Sequence, residues 1–156
     1  MTSDEQTAWL TELLPQPPKD IALLQRALTH GSTGQPVYQR LEFLGDALLG
    51  FFIAEELFRR YPQTQEDVLT RLRASLVNRG TLAELGRELD LGPHLLLGPN
   101  ERKSGAWRRD SILSNTLEAI IAAIYLDGGF GAGRDFVLRH LGKELRRVRE
   151  RLDVAE

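Results

Sequence analysis

The chain has 156 residues and a mass of 17.6 kDa, with 42% hydrophobic residues, 27% charged residues and a formal net charge of −2. A chain of this length hides about 70% of its unfolded surface in one core, which excludes disorder and low complexity. No apolar run approaches the roughly 20 residues of a membrane span, and with no cysteine there is no disulfide, thiolate nucleophile or Cys-ligated zinc.

The chain is expected to form a single domain over residues 1–156. Residues 5–13 read as a short first helix, ended by Pro15, Pro17 and Pro18. Asp20 is placed to cap a second helix running from Ile21 to about Thr29. GSTGQP (31–36) is rich in turn formers and reads as a loop. A long helix follows from about Tyr38 to Arg60, stopped by Tyr61-Pro62 because the residue before proline disfavours the α region. Helices are predicted over about 66–77 and 80–89. Residues 89–110, with their Gly-Pro breaks, read as an extended connection. Another helix fits 111–126, with Asp127-Gly128-Gly129 as its stop signal. The last runs from about Gly131 into RRVRERL. No alternating run argues for a sheet, so the expected architecture is an all-α helical bundle. The acidic N-terminus MTSDEQTAWL is unlike a secretory leader, which points to a soluble, cytoplasmic protein and no membrane partner.

Two helices carry charge where they should be apolar. In QRLEFLGDALLGFFIAEELF (39–58), Leu41, Leu44, Leu48 and Phe52 form one stripe. No charge appears from Ala47 to Ala54, so the helix is expected to be largely buried. Glu42 and Asp46 lie one turn apart and share a face, where like charges repel. In SILSNTLEAIIAAIYLD (111–127), Glu118 is the single charge between Ser111 and Leu126, with Asn115 three residues earlier on the same face. Pairing with nearby arginines would explain any one of these carboxylates. Three carboxylates and an amide on the two most apolar helices point instead to a hard cation, Mg²⁺ or Mn²⁺. Such a cation serves phosphate-ester chemistry. Clustered like charge is also expected to raise at least one carboxylate pKa.

Of the twenty basic residues, all but Lys19, Lys103 and Lys143 are arginine. Guanidinium forks suit phosphate and carboxylate, although arginines on solvated faces give the same count. With a net charge near zero, any polyanion must be held by a local basic patch.

QRLEFLGDALL (39–49) resembles the signature of the ribonuclease III family. ALTHGS (27–32), LTRLRASLVNRGTLAELGRELDLG (69–92) and LGPNERKSGAWRRDSILSNTLEAIIAAIYLDGG (97–129) are similar to further blocks of that family, in the same order and spacing. Together they cover roughly residues 20–145. The resemblance implies an all-helical endonuclease domain acting as a homodimer on double-stranded RNA. Its expected products have 5′-phosphate and 3′-hydroxyl ends and short 3′ overhangs. It implies a Mg²⁺ site (Mn²⁺ as substitute) built from Glu42, Asp46, Asn115 and Glu118, with Asp46, Asn115 and Glu118 closest to the chemistry. Phe43 matches an aromatic that enters the partner subunit. Gln39, Glu66, Lys103, Arg108 and Arg109 fall where RNA contacts are expected.

The chain departs from the family pattern at Asn115, where the family has Asp, and at Gln39, where it usually has Glu. An amide supplies one neutral oxygen in place of a carboxylate, so activity is expected to be impaired. That Asn is either a natural departure or an introduced Asp→Asn change. Bacterial members usually continue into a double-stranded-RNA-binding domain, which is expected to be absent from this chain. The competing expectations are a non-catalytic double-stranded-RNA-binding or scaffold protein on the same fold, and a plain helical dimerisation domain.

Overall fold

The computed structural model describes residues 3–34 and 37–155. The helices are α1 (Ser3–Leu13), α2 (Ile21–Ala27), α3 (Val37–Arg60), α4 (Glu66–Leu76), α5 (Arg79–Glu88), α6 (Pro99–Lys103), α7 (Asp110–Gly128), α8 (Phe130–His140) and α9 (Gly142–Ala155). Among the described residues there is no strand, only one parallel bridge between Thr29 and Leu96. The all-α expectation holds.

α7 is the centre. Its residues Leu113–Leu117 and Glu118–Ile124 are buried apart from Asn115, and α2, α3, α5 and α8 pack around it. The local signals that start and stop the helices act as the sequence predicts. The Asp20 carboxylate accepts the backbone N–H of Leu23, capping α2. Gly129, at φ +94°, turns the chain out of α7, and its N–H reaches the Tyr125 carbonyl at 2.8 Å. The Asp127 carboxylate accepts the backbone N–H groups of Lys19 (3.1 Å) and Asp20 (2.7 Å), tying the proline-rich segment to the end of α7. α1 docks by stacking Trp9 on His94 at 4.0 Å, while the Trp9 indole donates to the Leu89 carbonyl.

Three expectations need correction. The 89–110 segment is not an extended connection: it holds α6 and two 3₁₀ turns, Gly92–His94 and Ala106–Arg108. Proline in the first turns of Gly92–His94 and α6 starts these pieces, because its missing N–H is unpaired there anyway. The final helix is divided at Leu141 into α8 and α9. And α3 is not largely buried. Phe43 (81%), Phe51 (51%) and Phe58 (72%) are exposed along one side, while Leu41, Leu49, Phe52, Ile53 and Leu57 are buried on the other. The apolar stretch is wider than the face this chain can cover. The predicted 31–36 loop contains a 3₁₀ turn at Gly31–Thr33, and Gln35 and Pro36 lie outside the described residues.

Candidate metal centre

Where α3 crosses α7 the two backbones touch. A Cβ on Gly45 would lie 1.7 Å from the carbonyl oxygen of Glu118, far inside any real contact. Glycine between Glu42 and Asp46 is thus what lets the carboxylate-bearing turn of α3 press onto the middle of α7. That crossing brings Glu42, Asp46 and Glu118 into one electrostatic neighbourhood. Glu118 is 8% exposed, Glu42 half-buried and Asp46 exposed at the rim. Asn115, half-buried, sits one turn before Glu118 on α7.

The charges are uncompensated by direct pairing. Among the described residues, no lysine or arginine forms an ion pair with Glu42, Asp46 or Glu118; the arginine pairs go to Glu55, Glu56, Asp67 and Asp110. Burial pushes the Glu118 carboxyl up to about 8. A side-chain hydrogen bond with Asp46 and the charges of Asp46 and Glu42 add to the rise, and Arg79 opposes it. Burial, then Asp46, also raises Glu42. A raised carboxylate pKa is expected from like charge; desolvation is the larger cause, because Glu118 lies in the enclosed middle of α7.

The crossing also involves two residues that sequence reasoning passed over. Tyr38, one turn before Glu42, is buried. Its hydroxyl lies 2.8 Å from the Thr116 hydroxyl and 3.4 Å from the Ile112 carbonyl. Its position in the helix bearing Glu42 was a usable signal. Arg79, the first residue of α5, acts on Glu118 through space, and nothing in its local sequence marks it.

The other expected site residues are dispersed. Phe43 points to solvent beside Glu42. Gln39 is exposed on the first turn of α3. Glu66 begins α4 and accepts a hydrogen bond from Thr70 at 2.9 Å, with no bond to the other carboxylates. Lys103 ends α6, exposed. The Arg108 guanidinium lies 4.4 Å over the Trp107 ring, and Arg109 reaches the Ser104 hydroxyl at 3.5 Å. Arg87 holds this stretch to α5 by donating to the Arg108 carbonyl and pairing with Asp110.

Among the described residues, no group of three or more His, Cys, Asp and Glu side chains is arranged to hold a metal ion as it stands. Chemically the donors fit a hard divalent cation: they offer oxygen alone, and Glu42 and Glu118, raised by burial and further by neighbouring carboxylate charge, are groups whose charged form such a cation would stabilise.

The ribonuclease-III-like family model matches residues 20–145. Ribonuclease 3 of Vibrio cholerae is 54% identical over 129 residues, which make up 83% of this chain and 57% of that protein. Ribonuclease 3 of a Marinomonas species is 56% identical over 119 residues, 76% of this chain and 52% of that protein. The chain thus spans a little over half the length of these relatives. The solved nuclease domain of ribonuclease III from Campylobacter jejuni superposes with a TM-score of 0.82 at 40% identity, covering 92% of this chain and 96% of that one. A family match over most of the chain, joined to a helix crossing that gathers the signature carboxylates, places this protein in the ribonuclease III family.

Proposed function

We propose that this chain is the nuclease domain of a metal-dependent endoribonuclease that cuts double-stranded RNA as a cytoplasmic homodimer. The observation that carries the reading is the buried Glu118 beside Asp46 and Glu42, with no ion-paired lysine or arginine among the described residues. Glu42, Asp46, Glu118 and the Asn115 amide oxygen are the groups that would hold Mg²⁺, or Mn²⁺ in its place. When bound, the ion would make a hydroxide available near neutral pH and offset charge on the phosphorane. In the hydrolysis, water oxygen bonds to phosphorus, the bond from phosphorus to the 3′ oxygen breaks, and that oxygen takes a proton. The ends are therefore 5′-phosphate and 3′-hydroxyl, with short 3′ overhangs when two sites act on opposite strands.

The remaining residues position substrate and partner. Lys103, Arg108 and Arg109 offer donors for RNA phosphates next to the start of α7. Gln39 is exposed on the same α3 end as Glu42 and supports those contacts; Glu66 borders the RNA path from α4. Phe43 leads the exposed aromatic side of α3, which the second subunit covers. Among the described residues, no helix is long and apolar enough to cross a membrane.

Asn115 is the weak point. It removes one charge from the ligand set, so hydrolysis by this chain is slow. The test is paired cleavage of a uniform double-stranded RNA with Mg²⁺, comparing this chain with Asn115→Asp. The variant should cut and the parent should lag by at least an order of magnitude. If neither cuts at high enzyme excess while both bind RNA in a salt-sensitive way, the protein is a binder or scaffold on this fold, the reading that Asn115 favours.

A further inference from the structure

Glu42 lies between two points at which α3 is fastened to α7. On one side Gly45 meets the backbone of Glu118. On the other, one turn earlier, the Tyr38 hydroxyl is held 2.8 Å from Thr116 Oγ1 and faces the Ile112 carbonyl. The partners on α7 bracket the second half of the site in the same way: Ile112 and Thr116 flank Asn115, and Glu118 follows. Thr116 is fully buried and its own hydroxyl donates to Ile112 at 2.7 Å, so its lone pairs remain to receive the phenol proton.

The tyrosine is itself braced. The edge of its ring meets His30 at 5.4 Å. His30 Nδ1 accepts the Ser32 N–H at 3.0 Å, and the Ser32 hydroxyl accepts the Gly98 N–H at 2.9 Å. The His30 N–H donates to the Leu96 carbonyl at 2.9 Å. The ALTHGS stretch therefore knots the segment before α3 to the segment before α6, and the knot backs the ring of Tyr38. No charged group takes part in this chain of contacts.

We propose that Tyr38 is a positioning residue: its hydrogen bond to Thr116 sets the register of α3 on α7 and so fixes the spacing of Glu42 from Asn115 and Glu118. The proposal rests on reading those residues as a metal site. α3 packs on α7 along an extensive apolar contact as well, but apolar contact is non-directional and leaves the turn that carries Glu42 some freedom to shift along α7. The Tyr38 bond removes that freedom.

The experiment uses the full chain with Mn²⁺ alone as probe. Tyr38→Phe removes one hydroxyl and keeps the ring; Thr116→Val removes the acceptor; Thr116→Ser restores it. Leu145→Ala, on the buried face of α9 and away from the crossing, is a control for general destabilisation. Calorimetric Mn²⁺ affinity should fall roughly fivefold or more in Tyr38→Phe and in Thr116→Val, the scale of one buried hydrogen bond. It should return in Thr116→Ser, stay near the parent in Leu145→Ala, and fall no further in the Tyr38→Phe/Thr116→Val double variant. In metal-free protein, amide exchange across residues 41–46 should quicken in Tyr38→Phe beyond the change in global stability. Unchanged exchange there, or Mn²⁺ affinity that follows stability alone across all variants, overturns the proposal. If the parent binds no Mn²⁺, the metal reading fails, and the exchange arm still decides whether Tyr38 sets the register.

Discussion

Replacing Gly45 with alanine sets two physical effects against each other. Alanine in a helix interior is worth about 0.5–1 kcal/mol more than glycine, from the unfolded chain's lost freedom and better helix propensity. Against this, the new Cβ would lie 1.7 Å from the Glu118 carbonyl oxygen, 2.4 Å from its carbonyl carbon and 3.1 Å from its Cα. Ordinary carbon contact begins near 3.5 Å, so α3 and α7 must part by about 2 Å. The obstacle is backbone in the most enclosed helix, which has no rotamer to change. Overpacking typically costs about 1–3 kcal/mol, and backbone against backbone belongs at the top of that range. The net loss is about 2 kcal/mol, a fall in melting temperature of roughly 4–8 °C for a domain of this size. Thermal and urea unfolding of Gly45→Ala beside Gly131→Ala checks it. A Cβ on Gly131 meets nothing within 4 Å and its φ is ordinary, so that variant should be neutral or slightly stabilised. Gly45→Ala as stable as Gly131→Ala would refute the backbone-contact account. The separation should also weaken divalent-metal binding, since Asp46 and Glu118 move apart with the helices.

In metal-free buffer the folded state favours protonated Glu118, whose pKa rises from an ordinary 4.5 to about 8. Its stabilisation is complete below about pH 4.5 and is lost as pH rises through 8, on the order of a few kcal/mol. Urea midpoints at pH 5 and pH 9 should therefore differ less in Glu118→Gln than in the parent; an unchanged difference would count against the shift. His94 and His140 work the other way. Burial lowers both, so their contribution is present above pH 6.5 and fades in acid. Binding of Mn²⁺ near neutral pH should release close to one proton, read by calorimetry in two buffers of different ionisation enthalpy, and almost none at pH 9.5. Release independent of pH would remove Glu118 from the ligand set. Phe43→Ala should leave the unfolding free energy of the separated subunit within about 0.5 kcal/mol, because the side chain is 81% exposed. Sedimentation should show the dimer weakened by tenfold or more, and an unchanged association constant would place the interface elsewhere.

Most of the helices were legible because periodicity, Asp20 and the Asp127-Gly128-Gly129 stop are local signals that the fold does not override. Glu42, Asp46 and Glu118 stood out for a related reason: a charge on an apolar helix needs a partner wherever the helix is packed. The failures are non-local. The Gly-Pro steps of 89–110 argue against regular structure, yet proline is at home in the first turn of α6. The apolar breadth of α3 reads as burial, but a sequence does not say whether the covering surface belongs to the same chain. Tyr38 looks like an ordinary core aromatic until its hydroxyl is found at Thr116, 78 positions away. Arg79 enters only once α5 is docked on α7. Like charge was offered as the cause of a raised carboxylate pKa, whereas enclosure of Glu118 by neighbouring helices contributes more, and enclosure is a property of the whole assembly.

The enclosure of α7 has a temporal side. A helix wrapped by four others has no local route by which its amides can meet water, so it opens only when the domain comes apart. Asn115 and Glu118 are consequently held for the full lifetime of the native state. The side chains of Lys103, Arg108 and Arg109 are exposed, while Ala106 and Trp107 anchor their backbone to the core. Exposed side chains of this kind change rotamer many times within that lifetime. In the proposed site, Asn115 and Glu118 thus keep their geometry on the clock of global unfolding while the basic side chains move on the clock of rotamers, which suits the proposed release of a long polymer without dismantling the centre.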